Sequence, residues 1–163
     1  MIYITRREHF NAAHRLFRPD FNDEKNLQVF GKCSNPNWHG HNYTLFVTVR
    51  GEVDPSTGFL VNLKDLSALI ETQVLEKLDH RNINLEVDFM EGKLASTENL
   101  AIGIWNQLAK PIADIGARLH CIKLYETENT DPIVYVKLFT PDANWSWFIT
   151  EISIDKDICF GLV

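Results

Sequence analysis

The chain has 163 residues, of which 45% are hydrophobic and 23% charged, and this length fits one domain or a protomer whose core is completed by identical neighbours. Sixteen Lys and Arg against 22 Asp and Glu give a net charge of −6, which argues against general nucleic-acid binding because that needs clustered cationic surface. No apolar run approaches the roughly 20 residues of a membrane-spanning helix, and the three cysteines lack the CxxC spacing of structural metal sites. Residues 1–10 carry charged side chains where a signal peptide needs an apolar core, so we expect a cytoplasmic protein with no membrane or nucleic-acid partner.

The N-terminal part of the chain predicts two long strands. Residues 2–14 alternate, with apolar positions sharing one face that ends at His14. Residues 39–51 alternate in the same way, and two histidines precede the apolar positions on the inward face. Residues 17–38 between them contain proline and glycine and predict a long connection, a kind of segment that often carries functional residues.

The middle of the chain predicts two helices. The first begins after Asn62, which resembles an N-cap, and runs to about Leu78 with apolar residues at helical spacing. The second begins at Ser96 or Thr97 and is expected to end at Pro111, because proline cannot continue the hydrogen-bond ladder of a helix.

The C-terminal part predicts two more strands, over residues 117–128 and 132–139, joined by a turn at 129–132. The resulting ββααββ order predicts an α+β fold, a four-stranded antiparallel sheet with two helices on one face. We expect a single domain over residues 1–139 and a C-terminal extension, 140–163, of unknown structure. Open edges of such a sheet favour subunit association.

Three histidines are spaced so that they can hold one metal ion. On a helix, His39 and His41 would point about 200° apart, whereas on a strand they project from the same face roughly 6.5 to 7 Å apart. His14 adds a third imidazole if its strand pairs beside theirs. Three neutral imidazoles leave the fourth position of a tetrahedral zinc site open, as in catalytic sites. The alternative is that these histidines are ordinary surface or hydrogen-bonded residues.

A thiol and an Asp-His pair are candidates for acid–base chemistry. Cys33 lies six residues before His39 in the long connection, where nearby positive charge could stabilise its thiolate. The alternative is an inert buried cysteine. Asp79 and His80 follow the first helix, either as a helix C-cap or as an acid–base pair in which the carboxylate orients the imidazole.

Glu126 is a carboxylate on an apolar strand face. It shares parity with Ile122 and Leu124, so we expect it to point toward the core, where an unpaired carboxylate is costly. Its partner is then either an arginine or a ligand that offers two N–H donors, as a pterin or a guanine-like ring does.

Six ordered motifs over residues 3–136 resemble the 6-pyruvoyl-tetrahydropterin synthase family. They are Phe10-x-Ala12-x-His14-Arg15-Leu16, Gly31–Tyr43, Gly51–Pro55, Leu78-Asp79-His80, Ser96–Asn99 and Tyr125-Glu126-Thr127. The resemblance implies the tunnelling fold (T-fold), in which three copies close a β-barrel and two trimers stack into a hexamer. It also implies Zn2+ as the cofactor.

The resemblance further implies a role for each candidate residue. His14, His39 and His41 would bind zinc, Cys33 would be the general base, Asp79 and His80 the coupled acid–base pair, Glu126 the pterin anchor, and Ser96, Thr97 and Glu98 part of the pocket. Arg15 and Lys32 would be either triphosphate contacts or solvated loop charges. Trp38 departs from the family pattern, where a small residue is expected, and is predicted to narrow the mouth of the site.

The implied activity is that of a carbon-oxygen lyase acting on phosphates in tetrahydrobiopterin biosynthesis. It would convert 7,8-dihydroneopterin triphosphate to 6-pyruvoyl-tetrahydropterin and eliminate triphosphate, without a redox cofactor. The closest alternative is 6-carboxytetrahydropterin synthase of queuosine and deazapurine biosynthesis, which cleaves the side chain of the same substrate. A second alternative is a catalytically silent pterin- or zinc-binding oligomer.

Overall fold

The computed structural model describes residues 1–127, 135–139, 148–152 and 159–162, with side chains described for residues 1–126. The strands are β1 Ile2–His14, β2 His39–Gly51, β3 Arg81–Asn82, β4 Arg118–Thr127, β5 Tyr135–Phe139, β6 Phe148–Ile152 and β7 Cys159–Leu162. The helices are α1 Asp23–Phe30, α2 Leu63–Ile70, α3 Glu76–Leu78, α4 Ile83–Glu86 and α5 Thr97–Asp114. These elements confirm the α+β class.

The main sheet has five strands in the order β3-β1-β2-β4-β5. The four long strands pair antiparallel as predicted, but β3 adds a short parallel pairing in which Ala12 lies opposite Arg81, so the purely antiparallel, four-stranded sheet is wrong in this detail. A two-residue strand is too short to produce a period-two pattern, so β3 could not be predicted from the sequence. The β1–β2 register places His14 opposite His39.

The inward face of the sheet packs against α2 and α5 in one apolar core. Its fully buried members come from strands and helices alike, and the largest are Phe10, Tyr43, Leu45, Leu66, Ile70, Leu78, Ile83, Leu100, Ile104, Leu108, Ile112 and Ile122. Burial of each such side chain contributes roughly 1.5 to 3 kcal/mol. This core fixes the strand faces, and with them the direction in which the inward-facing polar residues point.

The first predicted helix is continuous from α2 to α3 through a π-helical segment, Glu71–Leu75, and the side chain of Asn62 caps it by accepting from the Lys64 N–H. The predicted end of the second helix at Pro111 is wrong, because α5 continues to Asp114. Proline in the last turn costs only one backbone hydrogen bond, while the following residue remains fully buried.

The long connection between β1 and β2 is more ordered than predicted. It contains α1, which is capped by the side chain of Asn22, and a 3-10 turn, Gly31–Ser34. Leu27 and Val29 of α1 are exposed, so this helix lacks the buried apolar stripe that sequence periodicity detects.

The C-terminal strands are confirmed in part. β4 and β5 pair antiparallel, and the predicted turn at 129–132 lies outside the described residues. Within the predicted extension, β6 and β7 form an antiparallel pair. Domain division at residue 139 stays a prediction. The described helices are all too short or too polar to cross a bilayer.

Candidate metal centre and active site

Three imidazoles converge at the end of the β1–β2 pair. Their ring centroids lie 4.6 to 4.9 Å apart, and their ligand nitrogens all lie within 4.8 Å of one another. Nε2 of His14 is 3.0 Å from Nε2 of His39. His41 reaches the same point because it is two residues from His39 on one strand face. The structure therefore brings all three predicted ligands together.

Hydrogen bonding and burial keep these imidazoles in a metal-binding form. Nδ1 of His14 donates to the Ala95 carbonyl at 2.7 Å, so its Nε2 keeps a lone pair. His14 is only 2% exposed. Burial, together with the neighbouring His14 and His41, lowers the pKa of His39 to about 4. The lowered pKa keeps the His39 ring neutral at neutral pH, which is the state that coordinates metal ions.

Glu126 points inward, as its strand parity predicted. One oxygen, Oε1, lies 2.9 Å from Nε2 of His41 and 3.2 Å from Nε2 of His14, and the other accepts a hydrogen bond from the Thr97 hydroxyl. The Tyr43 hydroxyl donates to Oε1 at 3.3 Å. These groups, rather than the arginine considered from the sequence, surround the carboxylate.

The carboxylate is ionised. Burial raises the pKa of Glu126, but the side chains of His14, His41 and Thr97 around its oxygens outweigh burial and hold this pKa well below its usual range. An anionic oxygen therefore lies against imidazole nitrogens inside the protein.

The arrangement of these nitrogen and oxygen atoms favours a bound cation. His14 already carries its proton on Nδ1, so its Nε2 lone pair faces another imidazole nitrogen and a carboxylate oxygen at about hydrogen-bond distance. Lone pairs that converge in a buried site repel one another unless a positive charge lies among them. Three imidazoles are typical ligands of catalytic zinc, and a nearby carboxylate is an acceptable further oxygen donor. The residues therefore fit Zn2+.

Cys33 shares a cavity with the histidine cluster. The cavity has a volume of about 1010 Å³, and its lining includes Cys33, His39 and His41 together with Arg15 and Lys32. The thiol is half-buried and lies on the 3-10 turn after α1. A base at this position can reach a molecule that enters the cavity and approaches the imidazoles.

The predicted Asp-His pair forms a hydrogen bond, and its histidine lines a different cavity. Nδ1 of His80 lies 2.9 Å from Oδ2 of Asp79, and the Asn11 backbone N–H donates to Oδ1 at 2.8 Å. Their side chains are 78% and 41% exposed. His80 lines a cavity of about 590 Å³, whose wall shares Gly40 and His41 with the larger cavity.

The environment of the pair explains the ionisation of Asp79. The hydrogen bond from the Asn11 backbone N–H lowers the pKa of Asp79 most, burial opposes it, and the hydrogen bond from His80 lowers this pKa further. Asp79 also ends the helix, with its N–H donating to the Leu75 carbonyl, so the C-cap and acid–base interpretations are structurally compatible.

The three residues predicted at the start of α5 differ in their contacts. Ser96 is the N-cap, and its hydroxyl accepts from the Asn99 N–H at 3.3 Å. Thr97 is buried and donates to Glu126. Glu98 follows in the first turn and is half-buried, and its contact with a pterin stays a prediction.

Sequence reasoning missed two groups that touch the cluster. Tyr43 lies on the same strand face as His39 and His41, a signal that was available, and it stacks on Phe10 with ring centroids 4.8 Å apart. Burial and the adjacent Glu126 raise the pKa of Tyr43, so its hydroxyl stays a donor. The second group, the Ala95 carbonyl, carries no side-chain signal.

Trp38 lines a separate cavity of about 580 Å³ with Phe17 and Leu85, and its narrowing of the site mouth stays a prediction. Its backbone is left-handed, with φ 64°, a conformation that glycine adopts at lower cost.

The chain is similar to known proteins over most of its length. A profile of the family described as 6-pyruvoyl tetrahydropterin synthase matches residues 3–135. The chain is 47% identical over 126 residues to the 6-pyruvoyl tetrahydrobiopterin synthase of Pongo abelii, covering 77% of this chain and 86% of the relative. It is 28% identical over 123 residues to the 6-carboxy-5,6,7,8-tetrahydropterin synthase of Bacillus subtilis, covering 74% of each. The structure of Caenorhabditis elegans 6-pyruvoyl tetrahydropterin synthase superposes with a TM-score of 0.71 at 36% identity, covering 77% of this chain and 89% of that one.

Proposed function

Because the chain belongs to the 6-pyruvoyl tetrahydropterin synthase family, we propose that it is a zinc-dependent lyase that converts 7,8-dihydroneopterin triphosphate to 6-pyruvoyl-tetrahydropterin and triphosphate. The observation that supports this proposal most strongly is the convergence of three imidazoles beside the cavity that holds Cys33. A ligand-ready metal centre and a thiol base in one cavity are the parts that such a reaction needs.

The reaction is an internal redox rearrangement followed by an elimination. The two side-chain carbinols become carbonyls, one of them as the C=N bond of the dihydropterin ring is reduced and the other as the terminal phosphate ester is lost. Hydrogen and electrons therefore balance within the substrate, and no external oxidant or reductant is needed. The protein must remove protons from the side chain and return protons to the ring and to the terminal carbon.

The three histidines would hold the zinc, which when bound supplies a Lewis acid that acidifies the C–H and O–H groups of the side chain. Cys33 would remove the proton from the side-chain carbon, since its cavity also receives His39 and His41. His80, oriented by Asp79, would exchange protons with the substrate at the edge of the site, where the two cavities share a wall.

Glu126 would anchor the pterin ring while its ionised carboxylate remains held in place. Thr97 and Tyr43 donate to this carboxylate, so its orientation is fixed before a substrate arrives. A pterin offers a ring N–H and an amino group to the oxygens. Ser96 and Glu98, on either side of Thr97, would complete the pocket wall.

We propose that the protein is cytoplasmic and that it forms a homo-oligomer, a hexamer built from two trimers. In the described part of the chain, β3 pairs with β1 only at Ala12 and Ala13, and the backbone of Asn11 bonds to Asp79 and His80, which leaves residues 2–10 as a long sheet edge. An edge of that length is a ready surface for pairing with another copy. Analytical ultracentrifugation of the protein tests this arrangement.

A second candidate function is that of a 6-carboxytetrahydropterin synthase, which is favoured by the similarity to the Bacillus subtilis enzyme. The higher identity to the pyruvoyl-forming relative supports the first candidate. A silent pterin- or zinc-binding protein has less support, since Cys33, Asp79 and His80 are all present.

The test is incubation of the zinc-loaded protein with 7,8-dihydroneopterin triphosphate, followed by mass spectrometry of the pterin product. The expected product has a pyruvoyl side chain, and free triphosphate appears in equal amount. A carboxy side chain with release of a two-carbon fragment would establish the second candidate instead. Unchanged substrate would contradict both and leave only a binding role.

A further inference from the structure

A side-chain amide continues the sheet where its backbone pairing stops. β3 pairs with β1 at Ala12 and Ala13, and the chain then turns away into α4. The side-chain amide of Asn84 takes the place of a further strand residue and pairs with the backbone of Arg15. The Arg15 N–H donates to Asn84 Oδ1 at 2.9 Å, and Asn84 Nδ2 donates to the Arg15 carbonyl at 2.9 Å.

The orientation of this amide is dictated by its partners. A backbone N–H can only donate and a backbone carbonyl can only accept, so the oxygen and nitrogen of the Asn84 side chain have one possible arrangement. Asn84 is itself held, because its own N–H donates to the side chain of Asn82 at 3.0 Å. The contact is part-buried, which shields it from competing water.

Arg15, the residue held by this amide, connects two parts of the proposed active site. Arg15 follows the zinc ligand His14 directly, and its Nε donates to the Ser34 carbonyl at 2.7 Å. The next residue, Leu16, donates its N–H to the Cys33 carbonyl at 2.8 Å. Two hydrogen bonds thus join the end of β1 to the turn that carries the Cys33 thiol, next to the amide that holds Arg15.

The Arg15 side chain is therefore not a solvated loop charge. Its guanidinium lies over the ring of Phe17, 4.4 Å from the centroid, while Nε is engaged with Ser34. These contacts fix the side chain to the thiol-bearing turn.

We propose that Asn84 is a positioning residue that acts through both backbone groups of Arg15 to keep His14 and the Cys33 turn in register. The proposal rests on the proposed function for the role of the thiol, but its effect on metal binding needs no pterin. Groups that orient metal ligands typically change metal affinity by 10- to 100-fold when removed.

A purely structural role predicts something different. Loss of one pair of part-buried hydrogen bonds would lower the free energy of unfolding and leave zinc affinity and thiol reactivity as they are. Asn62 provides the matched control, since its side chain also accepts from a backbone N–H, at 3.0 Å, but caps the start of α2.

The experiment compares Asn84→Ala, Asn84→Asp and Asn62→Ala with the wild-type protein. Zinc affinity is measured by competition with a chromogenic chelator, the coordination geometry by the visible spectrum after Co2+ substitution, and thiol accessibility by the rate at which iodoacetamide alkylates the Cys33 peptide. We expect Asn84→Ala to weaken zinc binding about 10-fold or more, to alter the Co2+ spectrum and to change the alkylation rate. Asn84→Asp keeps the acceptor but turns an oxygen toward the Arg15 carbonyl, so it should also weaken zinc binding.

Asn62→Ala should match wild type in all three measurements. Zinc affinity within twofold of wild type in Asn84→Ala, or equal losses in Asn62→Ala, would overturn the proposal. If Asn84→Ala does not fold, the comparison of Asn84→Asp with Asn62→Ala decides in the same way. Failure of the pterin assay alone would refute the proposed function and leave this result standing.

Discussion

Replacement of Glu126 by glutamine removes a negative charge from the metal centre and preserves the shape of the side chain. Its Oε1 lies 2.9 and 3.2 Å from two of the imidazole nitrogens, so the carboxylate is a close neighbour of any ion that these nitrogens bind. We expect Glu126→Gln to weaken zinc binding and, in addition, to raise the KM for the pterin.

The magnitude follows from Coulomb's law. Two unit charges 4 Å apart at an effective dielectric constant of about 20 attract by about 4 kcal/mol. The zinc ion carries two charges, which doubles this attraction, but the charge of the carboxylate is shared by two oxygens and one of them is engaged with the Thr97 hydroxyl, so about half of the doubled attraction acts on the ion. A loss of about 4 kcal/mol corresponds to a rise in the zinc Kd of roughly 10³-fold.

The assay is chelator competition on metal-depleted protein at neutral pH. Glu71→Gln, which removes an exposed carboxylate on the first long helix, is the charge-matched control and should leave the zinc Kd unchanged. Thr97→Val keeps the charge but frees the carboxylate, so its effect should be smaller than that of Glu126→Gln. An unchanged zinc Kd in Glu126→Gln, with only the KM raised, would refute a role at the metal and restrict Glu126 to anchoring the pterin.

Two further variants test the acid–base groups. Cys33→Ala should lower the turnover rate by about 10² or more while zinc content stays at the wild-type level, because it removes a base and no metal ligand; an unchanged rate would make the thiol structural. Asp79→Asn should lower the free energy of unfolding by about 1 kcal/mol at pH 7, a figure that allows for the partial exposure of the carboxylate. The folded-state pKa of Asp79 lies below its ordinary value of 3.8, so this stabilisation is present above pH 4 and is lost as the pH falls through the folded-state pKa. Urea unfolding at pH 7 and pH 3 should therefore show a gap between wild type and variant that closes at low pH, and an equal gap at both would contradict the assignment.

Strand periodicity carried much of the prediction. An inward-facing histidine at the end of each of two strands can be identified from parity alone, and the same rule correctly pointed Glu126 toward the core. The apolar residues of β1 and β2 face the core on one side of the sheet, and the histidines share that side. The histidines therefore converge once β1 and β2 pair.

Features that depend on contacts distant in the chain could not be predicted. The Asn84 amide and Arg15 are 69 positions apart, and the Ala95 carbonyl that orients His14 is 81 positions away. The sequence shows no periodicity for such single contacts. Helix α1 escaped detection for a related reason, because it exposes its apolar residues, and the end of α5 was misplaced because burial of Ile112 outweighs the local effect of Pro111.

The most direct test of the metal centre is the zinc content of the purified protein and of His41→Ala after dialysis against metal-free buffer. Three converging imidazoles predict about one zinc per chain in the wild type and almost none in the variant, since two imidazoles hold the ion far more weakly than three. Full zinc occupancy in His41→Ala, or a wild-type protein that neither contains zinc nor takes it up, would contradict the account.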